Sequence, residues 1–224
     1  IQIMGISAGP SGVSDGLVFQ LDAANLRSYS GSGNTANGLV SGIGGTLVNG
    51  VGFGSTSKGF FIFDGSNDYV NIPSSSLIYG PASRTMMSWS RITSNNGSTY
   101  ASFAYGNPAS NQAFFIGVYG LNPFCGAWAN DLTATNTFIS LNTWFHTACV
   151  YNGTTAFLYV NGILATSASK SWSTLDVSRA YLGRQIDTGQ NWTGHIAQVQ
   201  LYNRVLSATE ILQVYNAQRT RFGV

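Results

Sequence analysis

Residues 145–163 read FHTACVYNGTTAFLYVNGI. Two Asn-Gly pairs, Asn152-Gly153 and Asn161-Gly162, separate the apolar runs of this stretch. Asn and Gly tolerate positive φ, and the tight turns they form match the twist of antiparallel strands. The stretch therefore predicts a three-stranded meander.

The same grammar extends in both directions. Regular structure is expected to begin at Gly16 and run through Asp22, and Lys58–Gly65 forms an aromatic strand ending in a turn. Asp68-Tyr69-Val70-Asn71-Ile72 alternates as a second strand. Further β segments run from Thr85 to Ile92, Thr99 to Tyr105, Ala113 to Tyr119 and Trp144 to Tyr151, separated by Gly, Asn and Pro. Ile196–Tyr202 alternates once more before the period changes. At LSATEILQVY (206–215), Ser207 caps a helix, Glu210 completes the capping box, and Leu206 with Ile211 forms the hydrophobic staple. Ile211, Leu212 and Tyr215 are expected on its packed side. Between residues 28 and 45, SYSGSGNTANGLVSGIGG is rich in turn formers and reads as a long surface connection that buries little. Residues 1–14 read as an N-terminal arm or linker and 15–224 as one domain. The expected fold is all-β, an antiparallel β-sandwich with one short C-terminal helix.

Composition narrows function. The chain has 224 residues, with 10 Lys+Arg and 8 Asp+Glu, 8% charged in all and net +2, against roughly 25% charged in ordinary soluble domains. That excludes a large phosphate-tracking surface, so no direct nucleic-acid partner is expected. Polarity comes instead from 27 Ser, 19 Thr and 19 Asn, and the mean hydropathy is +0.08. Such a neutral surface suits a subunit packed into a larger assembly or a protein exposed outside the cell. No run of 18 apolar residues predicts membrane insertion. The chain begins with Ile1 rather than Met, as a processed product or an excised part would. Cys125 and Cys149 lie in apolar surroundings that suit buried thiols, and pairing between them stays open.

Four blocks, GLVFQLDA (16–23), FFIFDGSNDYVNI (60–72), WFHTACVYNGTTAFLYVNGI (144–163) and YLGRQIDTGQNWTGHIAQVQLYNRVLSATEI (181–211), resemble the concanavalin A-like lectin/glucanase superfamily, in particular its laminin-G-like and pentraxin-like branch. The resemblance implies a two-sheet jelly roll, a fold that carries enzymes, lectins and structural parts alike. With the terminal YNRxLSATEILQxYNAQxxRFG block, the chain looks like tail, fibre or capsid-associated proteins of bacteriophages.

Candidate sites follow. Glycoside hydrolysis needs paired carboxylates, but Glu210 is the one glutamate and is occupied as a cap. The aspartates at 15, 22, 64, 68, 131, 176 and 187 are scattered. His146 and His195 lack nucleophile partners and read as structural, so no catalytic residue is assigned. Sugar recognition needs an aromatic platform beside amides or carboxylates, which points to Trp128 with Asn130 and Asp131, and to Trp192 with Asn191 and Gln190. Resemblance to pentraxin-like loops implies calcium at LGRQIDTG, through Gln185 and Asp187. Asn96, Asn152 and Asn191 match the glycosylation pattern but also read as turn residues. Arg219 and Arg221 are suited to docking a neighbouring subunit. The leading expectation is a non-enzymatic virion structural protein, a capsid decoration or tail or fibre component. Its partners would be other virion proteins, copies of itself and host-surface polysaccharide. A secreted or cell-surface carbohydrate-binding or adhesion module is the alternative, and a glycoside hydrolase the third.

Overall fold

The computed structural model describes residues 12–40, 42–56, 59–95, 99–187 and 189–224. In chain order its strands are β1 (Leu17–Asp22), β2 (Thr35–Ala36), β3 (Gly45–Val48), β4 (Gly52–Gly54), β5 (Phe60–Asp64), β6 (Tyr69–Asn71), β7 (Arg84–Ile92) and β8 (Thr99–Gly106). There follow β9 (Ala113–Tyr119), β10 (Asn122–Gly126), β11 (Leu132–Thr133), β12 (Phe145–Tyr151), β13 (Thr155–Val160), β14 (Ile163–Ser169), β15 (Ala180–Leu182), β16 (Thr193–Tyr202) and α1 (Ala208–Phe222).

They form two antiparallel sheets. The first runs β14-β13-β12-β7-β16-β5-β4, with β1 also paired to β16; the second runs β11-β10-β9-β8-β15-β6-β3-β2. The predicted meander is β12-β13-β14, with Tyr151 opposite Ala156 and Val160 opposite Ile163 across its two turns. Strand alternation sends Phe19, Phe61, Phe103, Phe114, Ile196 and Leu201 into one core between the sheets.

The first sheet's outer face is closed by α1. Ser207 and Glu210 form the expected capping box, and Gly223 ends the helix at φ 73°. Ile211, Val214 and Phe222 are its buried residues. Leu212, expected on the packed side, is instead 43% exposed. Phe222 stacks on Trp89 at 4.2 Å and packs against Trp144 at 4.9 Å, so about two further helical turns, beyond the segment expected from sequence, anchor the helix. Arg221, expected at a subunit contact, bonds Asp22 within the chain at 2.8 Å.

The Gly-rich segment also departs from expectation. It carries β2 and leads into β3, and it buries Tyr29 and Ala36 in the core. The Tyr29 ring packs edge-on against Phe61 at 5.2 Å, which compensates for the low apolar content around it. Of the N-terminal arm, residues 1–11 lie outside the described residues; Val13 accepts a hydrogen bond from the Tyr202 hydroxyl at 2.9 Å. Among the described residues no helix is long and apolar enough to cross a membrane.

Candidate functional site

With α1 over the first sheet, the outer face of the second sheet is the broad β surface left for ligands. Register defines a row across it: Thr46 opposite Asn71, Asn71 opposite Tyr181, Tyr181 opposite Ala104, Ala104 opposite Phe115, and Phe115 opposite Gly126. Small residues at the middle lower the floor there. Ile186 fills that depression, fully buried with Ala101, Ala104, Ala113, Phe115 and Phe124, while Trp128 and Tyr181 pack around it. The loop at 183–187 thus divides the face into two ends.

At one end stand Trp128, Asn130 and Asp131. Trp128 and Ala129 have φ of 70° and 56°, a left-handed pair that costs about 1–2 kcal/mol per residue for ordinary side chains. A dense polar network holds it. Asn130 Nδ2 donates to Asn111 Oδ1 at 2.7 Å, Trp172 Nε1 donates to the Asn130 carbonyl at 2.8 Å, and the Trp128 carbonyl accepts from the Asn111 amide at 3.2 Å. Lys170 Nζ donates to Asn130 Oδ1 at 2.9 Å and to the Asp131 carbonyl at 2.6 Å. The Asp131 carboxylate turns in toward the space a side chain at Gly126 would need. Burial of that carboxylate raises its pKa, opposed by the Ala127 and Trp128 backbone and by Lys170. Asp131, Tyr119, Phe124 and Thr133 line a hollow of about 250 Å³. A partly exposed indole next to the Asn130 amide and the Asp131 carboxylate is suited to holding a sugar ring.

The second predicted cluster is split. Trp192 is fully buried in the inter-sheet core, its ring edge-on to Tyr100 at 6.5 Å, so it has no face to offer a ligand. Asn191 Nδ2 donates to the Ser66 carbonyl at 2.6 Å, tying the loop to the β5–β6 turn, and the Gln190 carbonyl accepts from the Gln185 amide at 2.9 Å. These two residues shape the dividing loop.

For calcium, Gln185 and Asp187 supply an ill-matched pair. Gln185 is 3% exposed with its Oε1 unpartnered, whereas Asp187 faces solvent and its Oδ1 accepts from the Gly189 amide at 3.3 Å. Ile186, pinned on the sheet between them, turns the two side chains to different surroundings. Calcium takes six to eight oxygens, and among the described residues no three His, Cys, Asp or Glu side chains group as a metal centre. These residues do not fit a calcium site.

Sequence reasoning passed over Tyr69, Asn71, Tyr181 and Arg184 at the other end of the face. The alternation of DYVNI carried the signal: with Val70 buried, Tyr69 and Asn71 must share the opposite face. Tyr69 and Tyr181 meet edge-on at 5.3 Å. Next to Asn71, a hollow of about 260 Å³ is lined by polar side chains of Thr35, Asn37 and Thr46 and by glycine backbone.

The carboxylate best able to donate a proton by type, Glu210, is unsuited to that work. Arg204 bonds it at 2.6 Å and 3.2 Å and, with the Ser207 cap, pulls its pKa down to about 2. Of the glycosylation matches, Asn96 lies outside the described residues, and Asn152 accepts from the Thr154 and Thr155 amides as a turn residue. A further hollow of about 400 Å³ lies away from this face, at the start of edge strand β14, among Phe138, Trp144, Ile163 and Leu164.

Residues 64–212 match the family model of the concanavalin A-like lectin/glucanases superfamily, and the chain belongs to that superfamily. Among solved structures, Domain 4 of AbnA, a GH43 extracellular arabinanase from Geobacillus stearothermophilus in complex with arabinotriose, is similar with a TM-score of 0.69 and 14% identity. That match covers 89% of this chain and 98% of the domain. The binding domain of Paraclostridial Mosquitocidal Protein 1 gives 0.68 at 18% identity, over 90% of this chain and 52% of that one. A mutant of Trypanosoma rangeli sialidase displaying trans-sialidase activity gives 0.69 at 16% identity, over 92% of this chain but 33% of the enzyme. The chain thus spans about a third of the sialidase and half of the toxin fragment, and at these identities the likeness is one of fold. Comparison with curated proteins by sequence finds no match.

Proposed function

We propose that the chain is a non-catalytic glycan-binding jelly roll that serves as a structural component of a bacteriophage particle, in capsid decoration or in a tail or fibre, where it engages host-surface polysaccharide. The observation that carries the binding role is Trp128, held in a left-handed backbone over the outer face of the second sheet by Asn111, Asn130, Lys170 and Trp172. Strain retained by such a network is typical of ligand sites. Weak binding per site would be strengthened by copy number.

The virion setting rests on the resemblance of the sequence blocks and on the low charge. The first sheet's edge agrees with it. β14 reads ILATSAS without charge or proline, and Ile163 and Phe138 beside it are about 70% exposed. Of the other sheet edges, β2, β4 and β11 have two or three residues, and six-residue β1 is partly covered by the Leu39 amide, which donates to the Gln20 carbonyl at 3.0 Å. A second copy offering its own β14 is therefore the suited partner for this edge. The similarity to an arabinanase domain solved with arabinotriose favours a second reading, a secreted or cell-surface carbohydrate-binding module working outside any particle.

Affinity electrophoresis in gels containing neutral and acidic polysaccharides tests the binding role. Retardation of the protein, lost in Trp128→Ala with the fold retained, is expected; equal mobility in every gel would refute it. Electron microscopy of the protein from its native source separates the settings: regular placement on a particle is expected, whereas dispersed, particle-free protein favours the second reading.

A further inference from the structure

The Arg184 guanidinium lies 4.3 Å over the Tyr69 ring and 5.0 Å from the Tyr181 ring, at the end of the face opposite Trp128. Among the described residues no carboxylate or carbonyl accepts a hydrogen bond from it. Its Nε is buried without a partner, while its terminal nitrogens are not enclosed in that way. Both tyrosine rings are half-buried, and the loop backbone is fixed by the Gln185 to Gln190 hydrogen bond and the Arg184–Asn191 bridge. An arginine stacked in this way is pre-organised, because the planar group has already lost much of its freedom before a ligand arrives.

The surroundings identify what it would hold. Asn71 pairs directly with Tyr181 and also lines the polar hollow with Thr35, Asn37 and Thr46, one strand spacing of about 4.8 Å away. Hydroxyl and amide groups there suit sugar hydroxyls, and the free fork beside them suits an anion with two oxygens in a plane. Three other arginines are committed elsewhere: Arg84 to carbonyls of its own loop, Arg204 to Glu210, and Arg221 to Asp22.

We propose that Arg184 makes this face selective for carboxylate-bearing sugars, so that the ligand is an acidic polysaccharide with a uronate bound at Arg184 and its neighbouring residue in the Asn71 hollow. This rests on the glycan-binding reading above. Three uronate oligosaccharide classes, from polygalacturonate, alginate and hyaluronan, are titrated calorimetrically beside their carboxyl-reduced counterparts. At least one uronate form should bind about tenfold or more tightly than its reduced form. Arg184→Gln should erase that difference, Arg184→Lys should restore only part of it, and thermal melts of both variants should match the parent. Equal binding of acidic and reduced forms, or a difference that survives Arg184→Gln, would overturn the inference while leaving the glycan face standing. Absence of binding by every oligosaccharide, acidic and neutral, would overturn both.

Discussion

Lys170 crosses from the end of β14 to the loop before β11 and donates to both Asn130 Oδ1 and the Asp131 carbonyl. An edge strand of the first sheet thereby fixes a loop of the second, on which Trp128 stands. Lys170→Met removes two charge-assisted bonds at a partly exposed site. The expected cost is about 1 kcal/mol of stability, with faster amide exchange at Trp128 and Ala129 and several-fold weaker glycan binding. Unchanged exchange at those amides would show that the loop holds itself.

Arg84 is fully buried without a carboxylate. Its guanidinium donates to the carbonyls of Ile78, Gly80 and Ala82 and to the Thr174 and Tyr105 hydroxyl oxygens, and it lies 5.0 Å over the Phe114 ring. Arg84→Met, close in length, takes a charged donor from three partly buried carbonyls: Ile78 keeps the Tyr105 hydroxyl and Gly80 keeps the Thr174 amide, and the Tyr105 and Thr174 hydroxyls lose their shared partner inside the core. A loss of about 3 kcal/mol or more is expected from the denaturation midpoint; a loss under 1 kcal/mol would mean that water replaces the guanidinium.

His146 sits beneath α1 with both ring nitrogens unpartnered, its ring 5.2 Å from Trp89 and 6.0 Å from Tyr215. Burial lowers its pKa to about 3, and His195, beside Arg91, falls to about 4. Both are neutral when folded and regain protons on unfolding, so they leave stability unaffected above pH 6.5. They reduce it as pH falls from 6.5 toward 4 and 3, by up to about 1.4 kcal/mol per pH unit for each fully shifted group. Glu210, whose pKa is lowered to about 2, adds its own loss only from about pH 4.5 downward. His146→Phe should flatten the urea midpoint against pH between 6 and 4. An unchanged slope would contradict the buried neutral state.

Cys125 and Cys149 are free and buried, on strands of opposite sheets facing the shared core. Burial pushes the Cys125 thiol well up. Native protein should therefore resist a thiol reagent that reacts with two thiols per chain after unfolding in denaturant without reductant. Zero reactive thiols after unfolding would indicate a disulfide instead.

Local chemistry made the meander and the helix legible in sequence: Asn-Gly pairs specify turns, and Ser207 with Glu210 specifies a helix start. Trp192 was also legible by parity, since Ile196, Gly194 and Trp192 share a face and Ile196 is core. Reading Trp192 only with its neighbours Asn191 and Gln190 obscured that. Trp128 could not be placed in this way, because two left-handed residues interrupt strand alternation. Nor does local pattern reveal Arg84, whose acceptors come from the chain's own turn at 78–82 and from Tyr105 and Thr174, up to 90 residues away. The burial of Tyr29 depends likewise on distant Phe53 and Phe61.

The most direct test of the central claim is a backbone amide NMR titration of the intact protein with the oligosaccharide that retards it most in affinity gels. Shift changes should centre on Tyr119, Trp128 and Asp131, extend to Tyr181 and Arg184 for an acidic ligand, and disappear in Trp128→Ala. Changes confined to the hollow around Phe138 and Ile163, or to α1, would contradict a glycan site on the second sheet.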